Sequence, residues 1–157
     1  RSLAVLLLLA ASSAECYLST FTFTNNCPEQ VKVTVNSNPN PAYVLNPGAS
    51  ASQDMDILER NVGDPIDPMI IANGASGLTR AGFYMDFRVW NANPKMEYYI
   101  DISRGFDTGI KIEAPALAGT LICSNAACAA NGNPMNAYAT SFWWWVKLSP
   151  FVITFCP

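Results

Sequence analysis

The chain has 157 residues, half of them hydrophobic, which suffices for one domain with a real core and is short for two. Charged residues make up only 13% and the formal net charge is −3, so there is no basic field to hold a nucleic acid or an anionic membrane surface. Histidine is absent, which removes Ser-His-Asp and Cys-His nucleophile arrangements, imidazole metal sites and an imidazole general base together.

Arg1 is followed by the apolar run from Leu3 to Ala11 and then by Ser12-Ser13-Ala14, the pattern of a secretory signal peptide within residues 1–16. The run is half of the ~20 residues that a membrane-spanning helix needs, so a secreted, extracellular protein without a stable membrane anchor is expected. Cleavage after Ala14 uses Ser12 and Ala14 as the two small residues. Cleavage after Cys16 uses Ala14 and Cys16 and leaves an even four cysteines for an oxidising compartment; if Cys16 is kept, it is a spare thiol for intermolecular pairing.

The mature domain, residues 17–157, is rich in aromatic residues, proline, glycine, Asn, Ser and Thr, a composition of short strands and turns. Leu18 to Thr24 alternates apolar and hydroxyl residues, and Val31 to Val35 also alternates. Asn25-Asn26-Cys27-Pro28 between them carries turn chemistry, so the pair is expected to be a hairpin. Loops follow at Asn36 to Pro41 and at Leu45-Asn46-Pro47-Gly48, and Ala49 to Ile57 offers a modest strand. From Arg60 to Gly77 the breakers are dense and only Met69-Ile70-Ile71 looks strand-like.

Phe83 to Trp90 and Glu97 to Ile102, separated by Asn91 to Pro94, predict a second hairpin, and Gly109 to Ala114 predicts a clean strand. Phe142 to Leu148 and Phe151 to Pro157 predict the last two. Strands at spacings of roughly ten residues, with no useful helical period, predict an all-β, antiparallel β-sandwich. There is no Asn-x-Ser/Thr triplet, so N-linked sugar is not expected.

Several segments resemble, in order, landmarks of the thaumatin-like family (osmotin, pathogenesis-related group 5). Phe21-Thr22-Phe23-Thr24-Asn25-Asn26-Cys27 is similar to its first strand and first cysteine, and Leu45-Asn46-Pro47-Gly48-Ala49-Ser50 to its Leu-Asn-x-Gly-x-Ser turn. Tyr99-Ile100-Asp101-Ile102-Ser103 with Gly105-Phe106, the Cys123-x4-Cys128-Ala129-Ala130 spacing, and the terminal Thr154-Phe155-Cys156-Pro157 complete the set. The chain departs from the family in having far fewer cysteines and a reduced second domain. The resemblance implies a Cys27–Cys156 bridge between first and last strands. The usual partners of Cys123 and Cys128 are missing, so these two are expected to bond each other.

The resemblance also implies an acidic cleft that binds β-1,3-glucan, with weak hydrolysis in some members. Asp101 matches the family's Asp, Asp86 stands at the family's Glu, and Arg104 replaces a second Asp; Arg80 falls roughly where the cleft Arg sits. Ligand contacts are therefore expected at Asp86, Asp101, Arg80, Tyr99 and Phe106. Hydrolysis needs two carboxyl groups about 5 to 9.5 Å apart, and Asp86 with Asp101 is the one pair to nominate. Both carboxylates are equally readable as strand or turn residues facing solvent, and shortening Glu to Asp impairs catalysis more than binding. Trp90, Tyr98, Tyr99 and Trp143-Trp144-Trp145 suit either sugar stacking or core packing.

The expected function is a secreted defence or wall-associated protein that binds a β-glucan or related polysaccharide without strong catalysis. The alternatives are a weak endo-β-1,3-glucanase using Asp86 and Asp101, and an inhibitor or effector acting on a partner protein. No cofactor or metal is expected, and the chain is expected to be a monomer.

Overall fold

The computed structural model describes residues 17–57, 59–60, 68–86, 95–114, 119–128, 136–140 and 148–157. The signal segment, Cys16, Trp90 and the tryptophan run at 143–145 lie outside them. Two mostly antiparallel sheets and no helix are present among the described residues, a β-sandwich.

One sheet has five strands in the order β10 (Gly119–Cys123), β9 (Ile110–Ala114), β12 (Leu148–Phe155), β1 (Tyr17–Asn25) and β4 (Ser50–Ile57). The seven-stranded sheet runs β11 (Asn136–Thr140), β8 (Lys95–Asp101), β7 (Arg80–Asp86), β6 (Met69–Asn73), β2 (Val31–Val35) and β3 (Tyr43–Leu45). Short β5 (Glu59–Arg60) adds to β7 beyond the end of β6.

Alternation decides which face is buried. On β1, Phe21 and Phe23 are fully buried while Thr20, Thr22 and Thr24 point outward beside Asp54, Ser52 and Ser50 of β4. Their side-chain oxygens meet in a ladder at 2.5, 2.8 and 3.0 Å. Between the sheets, Phe21 and Phe151 stack at 5.2 Å, and Phe83 from the opposite sheet meets both edge-on at 5.0 and 5.1 Å. Tyr98 adds a further edge contact to Phe151 at 5.5 Å, and its hydroxyl donates to the Gly119 carbonyl at 2.9 Å. Tyr98 is thus a core residue with its one polar atom satisfied.

The expected hairpin of β1 with β2 is not formed. The Asn25 amide nitrogen donates to the carbonyls of Glu29 and Leu45, and its oxygen accepts from the Cys27 amide. These bonds bend the chain across the core, so β1 stays in the five-stranded sheet and β2 starts the other. Besides β4, β1 pairs with β12, in parallel, from Ser19↔Leu148 to Asn25↔Phe155. Just past that ladder Cys27 is bonded to Cys156, with Cα atoms 5.0 Å apart and a separation of 129 positions in sequence. Cys123 is bonded to Cys128 across the loop that leaves β10. Both expected pairings are present.

The second hairpin is present as β7 with β8, in register from Arg80↔Asp101 to Asp86↔Lys95. The sequence reading passed over β3, β5, β10 and β11, all of five residues or fewer. The expected strand from Phe142 falls outside the described residues up to Leu148, where β12 begins.

Candidate functional site

Of the residues singled out from the sequence, Arg80, Tyr99 and Asp101 lie together on the outer face of the β7–β8 ladder. Ala81, Phe83 and Met85 of β7 face the core opposite Ile100, Tyr98 and Met96. The intervening residues therefore share the other face in cross-strand pairs, Arg80 with Asp101, Gly82 with Tyr99 and Tyr84 with Glu97, and the ladder ends with Asp86 paired to Lys95.

Glycine at position 82 gives this face its shape. Tyr99 lies across the backbone of its cross-strand partner Gly82, where an added Cβ would overlap the tyrosine ring. An aromatic ring covering a cross-strand glycine replaces the packing that the missing side chain would have supplied. Tyr84 meets the Tyr99 ring edge-on with centroids 6.4 Å apart, and its hydroxyl donates to the Glu97 carboxylate. Partial burial, then the charges of Asp101 and Glu97, push the Tyr99 phenol above its ordinary value, so it is a neutral donor at physiological pH.

Asp101 closes one end of the face. One of its carboxylate oxygens accepts from the Ser103 amide at 2.8 Å, holding the turn after β8. Opposite it, the Arg80 guanidinium donates through Nε to the Gly77 carbonyl at 3.1 Å. The result is a half-buried ring flanked by two carboxylates, with a guanidinium group at one end.

The ladder does not bring Asp86 and Asp101 together. They lie on adjacent strands at opposite ends of the seven-residue pairing, so their backbones are about 20 Å apart at roughly 3.4 Å per residue. Two carboxyl groups cooperating on one glycosidic bond sit within about 9.5 Å of each other. Phe106 lies off the face, packed against the core. Glu97, Tyr84 and Gly82 belong to the face and were not singled out from sequence, although the i±2 spacing of Glu97 from Tyr99 and a glycine leading into an aromatic strand were signals that could have found them.

Two clefts bordered by described residues, of about 330 and 170 Å³, lie elsewhere. Among the described residues no group of three or more carboxylate or thiol side chains is placed to hold a metal ion.

No family model matches the chain, and no curated protein is significantly similar to it in sequence. Among solved structures it is similar to the protein elicitor MoHrip2 from Magnaporthe oryzae, at 12% identity and a TM-score of 0.54, over 88% of this chain and 99% of that one. At that identity the likeness shows the fold.

Proposed function

We propose that this chain is an exported, thaumatin-like protein of the defence or elicitor type that binds a β-1,3-glucan or related wall polysaccharide on the outer face of β7 and β8, without turning it over. The observation that carries this reading is the Tyr99 ring resting on Gly82 between the carboxylates of Asp101 and Glu97. A flat, half-buried aromatic ring covers the apolar face of a sugar at low entropic cost, and flanking carboxylates accept hydrogen bonds from its equatorial hydroxyls. The similar fold of a protein elicitor supports the broad role, and two disulfides suit an oxidising, extracellular setting. The wide spacing of Asp86 and Asp101 favours binding over hydrolysis.

The test is sedimentation with insoluble β-1,3-glucan. The oxidised protein is expected to co-sediment, with retention little changed by salt because stacking dominates. Tyr99→Ala is expected to lower affinity about tenfold and Asp101→Asn a few fold. Absence of co-sedimentation with β-1,3-glucan, chitin and mixed-linkage glucan alike overturns the reading. Release of reducing ends from laminarin that Asp101→Asn abolishes would replace it with the hydrolase.

A further inference from the structure

We propose that the β7–β8 site takes a segment of several sugars laid across the strands, from Tyr99 over Gly82 to Ile70 of β6, and not a single sugar or a chain running along β8. This rests on the reading of that face as a sugar site and adds the direction of the chain and its second contact. The tip of the Tyr99 ring, Cζ with the phenol oxygen, stands over Gly82. Gly82 is paired on its other side with Ile70, so beyond the glycine the next side chain along this rung is that isoleucine. Ile70 is partly exposed, whereas its neighbours Met69 and Ile71 are buried in the core. Asn36 holds its backbone in place: the Asn36 amide donates to the Ile70 carbonyl at 2.7 Å, and the Asn36 side-chain oxygen accepts from the Ile70 amide at 2.8 Å.

The rows on either side of this rung are filled. Toward Asp86, Tyr84 is buried and its hydroxyl donates to the Glu97 carboxylate. In the other direction, the row of Ala72, Arg80 and Asp101 is overlain by Gly77, which accepts from Arg80 Nε and approaches the Ala72 side chain so closely that an added Cβ would overlap it. The Asp107 carboxylate fixes that loop by accepting from the Leu78 and Thr79 amides at 2.8 and 2.9 Å, and Ala72 is left buried. The rung through Gly82 remains, with a half-buried ring on β8 and a partly exposed isoleucine on β6. Their backbones are two strand spacings apart, about 10 Å at about 4.8 Å per strand, which is longer than one hexose ring. A glucan chain crossing here sets one ring on Tyr99, between Asp101 and Glu97, and a further ring against Ile70.

The experiment titrates the full, oxidised chain with methyl β-glucoside and with the β-1,3-linked glucose tetrasaccharide, read by amide NMR shifts, which follow binding into the millimolar range. Wild type is expected to bind the tetrasaccharide at least about tenfold more tightly than the glucoside. Ile70→Thr, which keeps the β-branched shape and removes apolar surface, is expected to weaken tetrasaccharide binding about fivefold and glucoside binding less than about twofold. Tyr99→Ala is expected to weaken both. A merely structural effect of Ile70→Thr moves both ligands together; that outcome, or equal binding of the two ligands by wild type, overturns the proposal and leaves the sugar site standing. Arg104 is exposed in the turn after β8, beyond Asp101 on the strand axis. Loss of the gain with length in Arg104→Ala and not in Ile70→Thr puts the chain along β8 and also overturns the proposal. Absence of binding to either ligand overturns the sugar reading of the face together with this inference.

Discussion

The pole where the chain's two end strands meet and the outer face of β7 and β8 are built on opposite logics. At the pole, the constraints overlap: the parallel ladder of β1 with β12, the Cys27–Cys156 bridge and the three hydrogen bonds of Asn25 all fix the same few residues. On the outer face the ties are individual side-chain contacts, with Tyr99 lying on Gly82 beside the Tyr84 ring and Asp101 accepting from the Ser103 amide. The difference separates stability from the proposed recognition, since the residues that hold the sandwich closed are not those of the β7–β8 face.

The largest way to break that comparison is at the covalent clasp. Replacing Cys27 and Cys156 by Ser is expected to cost about 5 kcal/mol by loop-closure entropy over 129 residues, against about 2 kcal/mol for Cys123 and Cys128 with their separation of 5. Chemical denaturation of the two double variants measures the gap, and equal losses would mean the long bridge adds nothing beyond the strand ladder. Phe151→Ala, which removes the ring shared by both sheets, is expected to cost about 4 kcal/mol in the same assay. Asn25→Ala strands the buried Leu45 carbonyl and the Cys27 amide and frees the part-buried Glu29 carbonyl, for about 3 kcal/mol.

Smaller effects sharpen the other half. Gly82→Ala is expected to shift stability by less than about 1 kcal/mol, because only the far end of the Tyr99 side chain must move, yet to weaken glucan sedimentation severalfold by lifting the ring. A large stability loss without a binding change would reverse the assignment. The gentlest probe is alkaline titration. Tyr98 and Tyr99 both have phenols raised above the ordinary 10.0, in each case first by burial. The unfolded chain therefore releases these protons before the folded one does, and their contribution is complete below pH 10 and is lost as pH rises beyond it. Absorbance near 295 nm is expected to show late-titrating tyrosines in wild type and one fewer in Tyr99→Phe.

Local pattern carried much of this fold. Phe21-Thr22-Phe23-Thr24 and Ile110 to Ala114 alternate in sequence as they do in space, and the aromatic pair of strands β7 and β8 was legible with the Asn-Pro break between them. The cysteine pairings came from resemblance, not from spacing. The turn at Asn25 was misread because the same Asn-Pro chemistry serves a hairpin or a crossing between sheets; the choice rests on Leu45, twenty positions away, whose carbonyl Asn25 reaches. The parallel neighbour of β1 is hidden for the same reason, lying at the other end of the chain. For the site, the residue types on β7 and β8 were legible but the register was not. Register alone parts Asp86 from Asp101 and joins Glu97 to Tyr84.

In the five-stranded sheet, β12 lies between β9 and β1. Strand β1 therefore waits for Leu148–Phe155 before it has a neighbour on that side. Such far-flung pairing is slow to nucleate, so this side of β1 stays unlocked until β12 has been made and has docked against it. The architecture thus ties the closing of this sheet, and the Cys27–Cys156 bridge beside it, to one long-range encounter between segments 129 positions apart.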